Sequence, residues 1–156
     1  MKVYITYDRY EHDEWFEVCY LGRDYDKAYS HCIEVDLPDF ISCGPDDCHS
    51  FQLKELEMSE YMYRKLRKFV NAENLSYREQ KTFDDLMIRI HDGEFEEEII
   101  LFTDGCSDNY EIIDYYCKSV GIEADDDDAR YNVEEKLFND EELYLKVVKD
   151  YIKYNY

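Results

Sequence analysis

The amino-acid sequence predicts an α+β fold in which helices cover a small mixed or antiparallel sheet of about four strands. Two segments near the N terminus alternate apolar and polar side chains as strands do. Later segments repeat apolar residues at helical spacing and begin with capping residues. The 156 residues, 45% of them hydrophobic, suffice for one domain with a buried core. We therefore predict a single acidic domain over residues 1–156, with the element order ββαβααβααα.

The first part of the chain predicts a hairpin, a helix and a third strand. Strands over 2–8 and 15–21 are joined by the polar loop RYEHDE. Asp24 can cap a helix, and Pro38 is expected to set its latest end because proline disrupts a helix interior. A turn-rich loop, DLPDFISCGPDDCHS, is expected next, before a third strand that begins near Phe51.

Two amphipathic helices follow the third strand. Ser59 can cap the first, whose outward face carries the cluster RKLRK, the only basic patch in the sequence. Ser76 and Glu79 form a capping box for the second helix, and Gly93 is expected to stop it.

The last part of the chain predicts a strand and three helices. EEEIILFTD has the composition of a strand bounded by acids. Asp108 with Glu111 is expected to start the next helix, a short helix is predicted over 131–138, and the last helix is expected to start at Asn139.

Charge is the most unusual property of the sequence. The chain has 39 acidic and 18 basic side chains, a net charge of -21. Residues 92–144 alone carry 19 acidic and 3 basic side chains, so most of the net charge lies in one third of the chain. The 17 Tyr and 8 Phe argue against disorder, since disordered chains are poor in aromatic residues. Residues 92–144 would create one continuous negative field if they share a face.

Neither a basic segment leading into an apolar one nor an apolar run of membrane-spanning length is recognisable. We therefore expect a cytoplasmic protein. The six cysteines, at 19, 32, 43, 48, 106 and 117, are expected to be reduced there.

No catalytic signature stands out. The carboxylates around most thiols disfavour a nucleophilic cysteine, and none of the four histidines lies in a recognisable catalytic motif. We expect a protein that is not an enzyme and needs no cofactor, although a site assembled from distant residues stays open. Direct binding to nucleic acid is also disfavoured, because affinity for phosphates comes from Lys and Arg and the cluster RKLRK is small against a net charge of -21.

Metal binding is an alternative function, and two groups of residues are candidate metal sites. Cys43, Cys48, His49 and either His31 or Cys32 have the side chains that zinc prefers, although the spacing is irregular and Cys32 fits the buried stripe of its own helix.

Residues 99–123 form the second alternative. They read as a strand ending in TDG, an acid-rich turn and a helix, and they are similar to the fourth strand and following helix of von Willebrand factor A domains. The resemblance implies that Asp104 helps to hold a magnesium-type ion. It departs from the family after the first strand, where YDRYEHDEW replaces the Asp-x-Ser-x-Ser turn.

The acidic segments themselves are the leading candidate site. Carboxylates two apart on a strand, or three to four apart on a helix, are separated by roughly 5 to 7 Å, close to the phosphate separation of about 7 Å along a DNA strand. Held outward, they would compete for the nucleic-acid groove of another protein. The predicted partner-binding residues are Glu94, Glu96, Glu97, Glu98, Asp104, Asp108, Glu111, Asp125, Asp126, Asp127, Asp128, Glu134, Glu135, Asp140, Glu141 and Glu142.

A small, strongly acidic, Tyr-rich chain of this kind resembles, as a class, the phage-encoded anti-CRISPR and anti-restriction proteins that mimic DNA. The resemblance implies an inhibitor or decoy in the cytosol of a host cell, with a basic nucleic-acid-binding protein such as a CRISPR or restriction nuclease as partner. An acidic protein-protein adaptor that binds through Tyr-rich patches is the alternative.

Overall fold

The computed structural model describes residues 1–10, 15–42, 49–123 and 125–156, with side chains for all of these except 105–109. Four antiparallel strands form one sheet in the order β2-β1-β3-β4, which confirms the predicted α+β class. The strands are β1 (Lys2–Tyr10), β2 (Trp15–Gly22), β3 (His49–Glu57) and β4 (Glu96–Asp104).

Helices connect the strands in the predicted order. One π-helical turn, Cys32–Asp36, separates the first two helices. The α-helices are α1 (Tyr25–His31), α2 (Leu37–Ser42), α3 (Glu60–Val70), α4 (Tyr77–His91), α5 (Gly105–Ser119), α6 (Asp127–Asn139) and α7 (Glu141–Asn155).

The sheet separates two hydrophobic cores because side chains alternate along β1. Val3, Ile5 and Tyr7 point to one face, where they pack with residues of α3 and α4. Tyr4 points to the other face, where it joins a larger core that includes residues of α1, α2, α5, α6 and α7. We call these two sides the α3–α4 layer and the α5–α7 layer.

Pro38 does not end the helical segment, contrary to the prediction. The π-helical turn lets the Leu37 N–H donate to the Cys32 carbonyl, and Pro38 then lies in the first turn of α2. A proline is tolerated there because the N–H that it lacks has no partner in a first turn. Residues 37–42 are therefore helical where a loop was expected.

The last three helices begin at positions other than those predicted. Helix α5 starts at Gly105, ahead of the expected Asp108–Glu111 start, and α7 starts at Glu141, capped by Asp140, and not at the expected Asn139. Helix α6 starts at Asp127, because the Asp126 side chain accepts from the Ala129 N–H at 3.0 Å and caps the helix. Acidic residues in a first turn also suit the positive end of the helix dipole, so part of the DDDD run is helical.

Strand β4 lies at the edge of the sheet. Its register with β3 places Ile99 opposite Lys54 and Phe102 opposite Gln52, so both apolar side chains lie on the face of the α3–α4 layer. They remain 47% and 56% exposed. This edge therefore presents apolar side chains beside the acids that begin the strand.

Within the described ranges, no helix combines the length and the apolar character that crossing a membrane requires.

Candidate functional site

Helix α6 and its flanks gather nine of the predicted partner-binding residues. The helix has 13 residues, which corresponds to a length of about 20 Å. Eight of the nine residues are exposed and Glu134 is half-buried. We call this set the α6 ridge; it comprises Asp125, Asp126, Asp127, Asp128, Glu134, Glu135, Asp140, Glu141 and Glu142.

Little positive charge offsets the α6 ridge. Residues 125–142 contain two basic side chains, Arg130 and Lys136. Arg130 forms an ion pair with Asp114 of α5, outside the ridge. In the described part of the chain, no ion pair engages a ridge carboxylate. The ridge is therefore a strongly negative surface.

The carboxylates of the ridge are grouped rather than evenly spaced. The groups near residues 127 and 134 are about seven residues apart, or about 10 Å along α6, and the third group, near residue 141, lies beyond the break between α6 and α7. Phosphates along a DNA strand are about 7 Å apart. The groups of the ridge therefore do not repeat at the spacing of phosphates along a strand.

The first group surrounds a shallow cavity of about 610 Å³. Its lining is formed by Glu123 and residues 125–128, all of them exposed. The cavity lies where the chain passes from α5 into α6, so the group projects from the surface beside the α6 N terminus.

Two predicted site residues are engaged elsewhere in the fold. Glu94 accepts two hydrogen bonds from Arg89, at 2.5 and 2.6 Å, and this ion pair lowers the pKa of Glu94. Glu96 lies 2.6 Å from the Nζ of buried Lys54. Arg89 and Lys54 therefore neutralise these two carboxylates, which contribute little to an acidic surface.

Three other predicted residues have structural contacts. Glu111 accepts a hydrogen bond from the Tyr151 hydroxyl, which joins α5 to α7. Asp126 and Asp140 cap α6 and α7, each accepting from a backbone N–H at 3.0 Å. These three acids therefore stabilise the helices as well as adding negative charge to the surface.

The remaining predicted residues lie away from the ridge. Glu97 and Glu98 are exposed near the start of β4, and Asp104 ends the same strand. A strand of nine residues is about 27 Å long from end to end, so Asp104 is not brought together with the two glutamates. The side chain of Asp108 lies outside the described ones.

The basic cluster of the sequence lies on the opposite side of the sheet. The RKLRK cluster belongs to α3, in the α3–α4 layer, whereas α6 packs in the α5–α7 layer through Val133 and Leu137. The sequence could not show this separation, because it depends on which face of the sheet each helix covers.

The two histidines of the zinc alternative contact different carboxylates. His31 Nδ1 lies 3.0 Å from Asp36, while buried His49 Nδ1 lies 3.3 Å from Asp8. Within the described residues, no three His, Cys, Asp or Glu side chains are placed to hold a metal ion, Asp104 included. Cys43 and Cys48 lie outside the described residues.

The described thiols are protonated at neutral pH. Burial raises the pKa of Cys32 to about 12, and Asp36 adds to the shift. Burial also raises the pKa of Cys117. The sequence suggested carboxylates as the main cause, but burial contributes more at Cys32 and Cys117.

Sequence reasoning missed the cations that neutralise predicted site acids. Lys54 alternates with Phe51 and Leu53 along β3, as a solvent-facing residue would, so its burial is seen only in the structure. Its carboxylate partner on β4 is likewise found only when the strands are paired.

Searches against protein families, curated proteins and solved structures found no match to this chain.

Proposed function

We propose that the chain is a non-enzymatic inhibitor or decoy whose α6 ridge binds the basic nucleic-acid groove of a host defence nuclease, as anti-CRISPR and anti-restriction DNA mimics do. The observation that carries the proposal is that the nine ridge carboxylates, eight of them exposed, have no ion-pair partner among the described residues. A groove that neutralises phosphates would neutralise these carboxylates in the same way.

Aromatic side chains on α6 support a protein partner. Tyr131 is 61% exposed and donates a hydrogen bond to Glu135, and Phe138 is 40% exposed. Exposed aromatic side chains next to charge are typical anchors of protein interfaces, because they bury large areas at low entropic cost. The ridge therefore combines negative charge, which would attract a basic partner, with aromatic side chains that the partner could bury.

A charge-reversal experiment tests the proposal. The variant Asp125→Lys/Asp128→Lys/Glu141→Lys changes three exposed ridge residues and keeps the caps Asp126 and Asp140. The matched control Glu34→Lys/Asp39→Lys/Glu73→Lys changes net charge equally at exposed positions away from α6.

DNA cleavage by a panel of purified CRISPR and restriction nucleases would be measured with each protein. We expect the native chain to inhibit at least one nuclease, the ridge variant to lose at least tenfold in potency, and the control to stay within about threefold. Inhibition should weaken steeply between 50 and 500 mM salt. Equal inhibition by the ridge variant and the control would contradict the proposal. If the chain binds a nuclease without a dependence on salt, and the variant Tyr131→Ala/Phe138→Ala does not bind it, the chain is an adaptor and not a DNA mimic.

A further inference from the structure

A basic groove lies between α3 and α4, on the side of the sheet opposite the α6 ridge. It has a volume of about 480 Å³. Its main lining residues are Tyr61, Arg64, Lys65, Lys68 and Phe69 from α3 and Arg78 from α4. Arg78 was not part of the basic cluster seen in the sequence, and the fold adds it across the groove.

The cations of this groove are largely uncompensated. In the ranges that the structure covers, Lys65, Lys68 and Arg78 form no ion pair, although the chain has more than twice as many acids as bases. Arg64 pairs with Glu60, which also pairs with Arg23. Glu79 supplies the acid in the lining. The groove therefore keeps a net positive charge in a very acidic protein.

The net charge of the whole chain does not cancel this local charge. The α6 ridge and the groove are separated by the sheet and by a helix on each side of it, which at about 10 Å per packed layer is about 20 Å. The Debye length at physiological salt is about 8 Å. An anion close to the groove therefore responds mainly to Lys65, Lys68 and Arg78. The sequence disfavours nucleic-acid binding because RKLRK is small against a net charge of -21, but it does not show that Arg78 of α4 joins this cluster.

The groove combines cations with an exposed aromatic ring. Lys65 and Lys68 are three residues apart on α3, and Arg64 and Lys68 are four apart, so each pair is separated by about 5 to 6 Å, close to the spacing of phosphates on one strand. Tyr61 lines the same groove and is 72% exposed. Proteins that bind single-stranded nucleic acid use basic grooves with aromatic rings on which bases stack.

We propose that the α3–α4 groove binds single-stranded nucleic acid, with phosphates at Lys65, Lys68 and Arg78 and one base stacked on Tyr61. An acidic peptide could use the cations but would gain little from the ring. This binding goes beyond the proposed inhibition and does not depend on it. With three phosphate contacts, the slope of log affinity against log salt should be about -2.

Fluorescence anisotropy with a fluorescein-labelled oligothymidylate of 12 nucleotides tests the proposal at 50 mM salt. The groove variant Lys65→Gln/Lys68→Gln/Arg78→Gln should bind at least tenfold more weakly than the native chain. The control Lys146→Gln/Lys149→Gln/Lys153→Gln removes the same charge from exposed positions on α7 and should stay within twofold. Circular dichroism would confirm that both variants fold. No binding by the native chain, or equal losses in both variants, would overturn the proposal.

Tyr61→Ala separates nucleic acid from an acidic protein partner. Base stacking on an aromatic ring is worth about 1 to 3 kcal/mol, so this variant should bind the oligothymidylate at least fivefold more weakly. Its affinity for a deca-aspartate peptide should not change. If the peptide binds as tightly as the oligonucleotide and Tyr61→Ala affects neither, the groove is a docking site for an acidic protein and the proposal is wrong. No nuclease is present in these assays, so either result leaves the test of the α6 ridge intact.

Discussion

Lys54 and Glu96 form an ion pair between neighbouring strands, with 2.6 Å between Nζ and Oε2. The Lys54 side chain is 1% exposed, and its ammonium also donates to the carbonyls of Ile90 and His91, at 3.3 and 3.1 Å. A buried charge of this kind is tolerated because all of its donors are used. One of the sequence-predicted surface acids is thus part of the internal structure.

Glu96→Ala should therefore destabilise the fold, whereas Glu97→Ala should not. Removing the Glu96 carboxylate leaves the Lys54 ammonium buried without its counter-charge, and we expect a loss of about 2 kcal/mol in the free energy of unfolding. Glu97 is exposed, so its change should fall within about 0.5 kcal/mol. Urea denaturation of both variants measures the difference. Equal stabilities would show that the pair contributes nothing to folding.

Asp126→Ala should destabilise α6, whereas its neighbour Asp125→Ala should have little effect. The Asp126 side chain caps the helix through the Ala129 N–H, and losing such a cap costs about 1 kcal/mol. Asp125 is exposed and precedes the capping position. Thermal unfolding followed by circular dichroism would compare the two variants. A similar melting temperature for both would mean that Asp126 does not act as a cap.

The stability of the fold should depend on pH through Asp8. Burial raises the pKa of this carboxyl from 3.8 to about 6, against the opposing effect of the nearby His49. Between these pH values the folded chain keeps a proton that the unfolded chain has released. The contribution of Asp8 to stability is therefore full below about pH 4 and falls as the pH rises to 6.

Asp8→Asn removes this dependence. Relative to the native chain, the free energy of unfolding of the variant should increase by about 1 to 2 kcal/mol between pH 4 and pH 7. Urea denaturation across that range measures it, with Asp150→Asn as a control at an exposed position. A difference that stays constant with pH would contradict the assignment.

Phe102→Lys should reduce self-association near the isoelectric point. At a pH near 4.4 the net negative charge that keeps molecules apart falls to about zero, and the edge strand exposes Ile99 and Phe102. Tyr154→Lys is the matched control, since this 78% exposed tyrosine lies on α7, away from the edge. Light scattering at pH 4.4 should fall for Phe102→Lys only. Equal scattering from the two variants would exclude β4 as the associating edge.

Local signals in the sequence were sufficient for most of the fold. Ser59 and Ser76 cap α3 and α4 as predicted, through the N–H groups of Met62 and Glu79. The segment EEEIILFTD forms β4 over the same residues. Caps and apolar periodicity act within a few residues, so they can be recognised without knowing the tertiary structure.

Features that depend on distant contacts were not predictable in the same way. The helical path through Pro38 needs a π-helical turn, and the role of Glu96 needs β3 and β4 to be paired. The candidate site was partly predicted, because residues 125–128 are exposed as expected, while Glu94 proved to be neutralised by Arg89. The sequence lists the acidic residues but does not show which of them form an ion pair in the fold.

The sheet places a carboxylate-rich layer on one side and the cationic α3 on the other, so the molecule carries a permanent electric dipole moment across its thickness. The electric field of a large cationic partner would exert a torque on this dipole before the two molecules touch. The molecule would arrive with α6 facing forward, and a greater share of collisions would begin in a productive orientation.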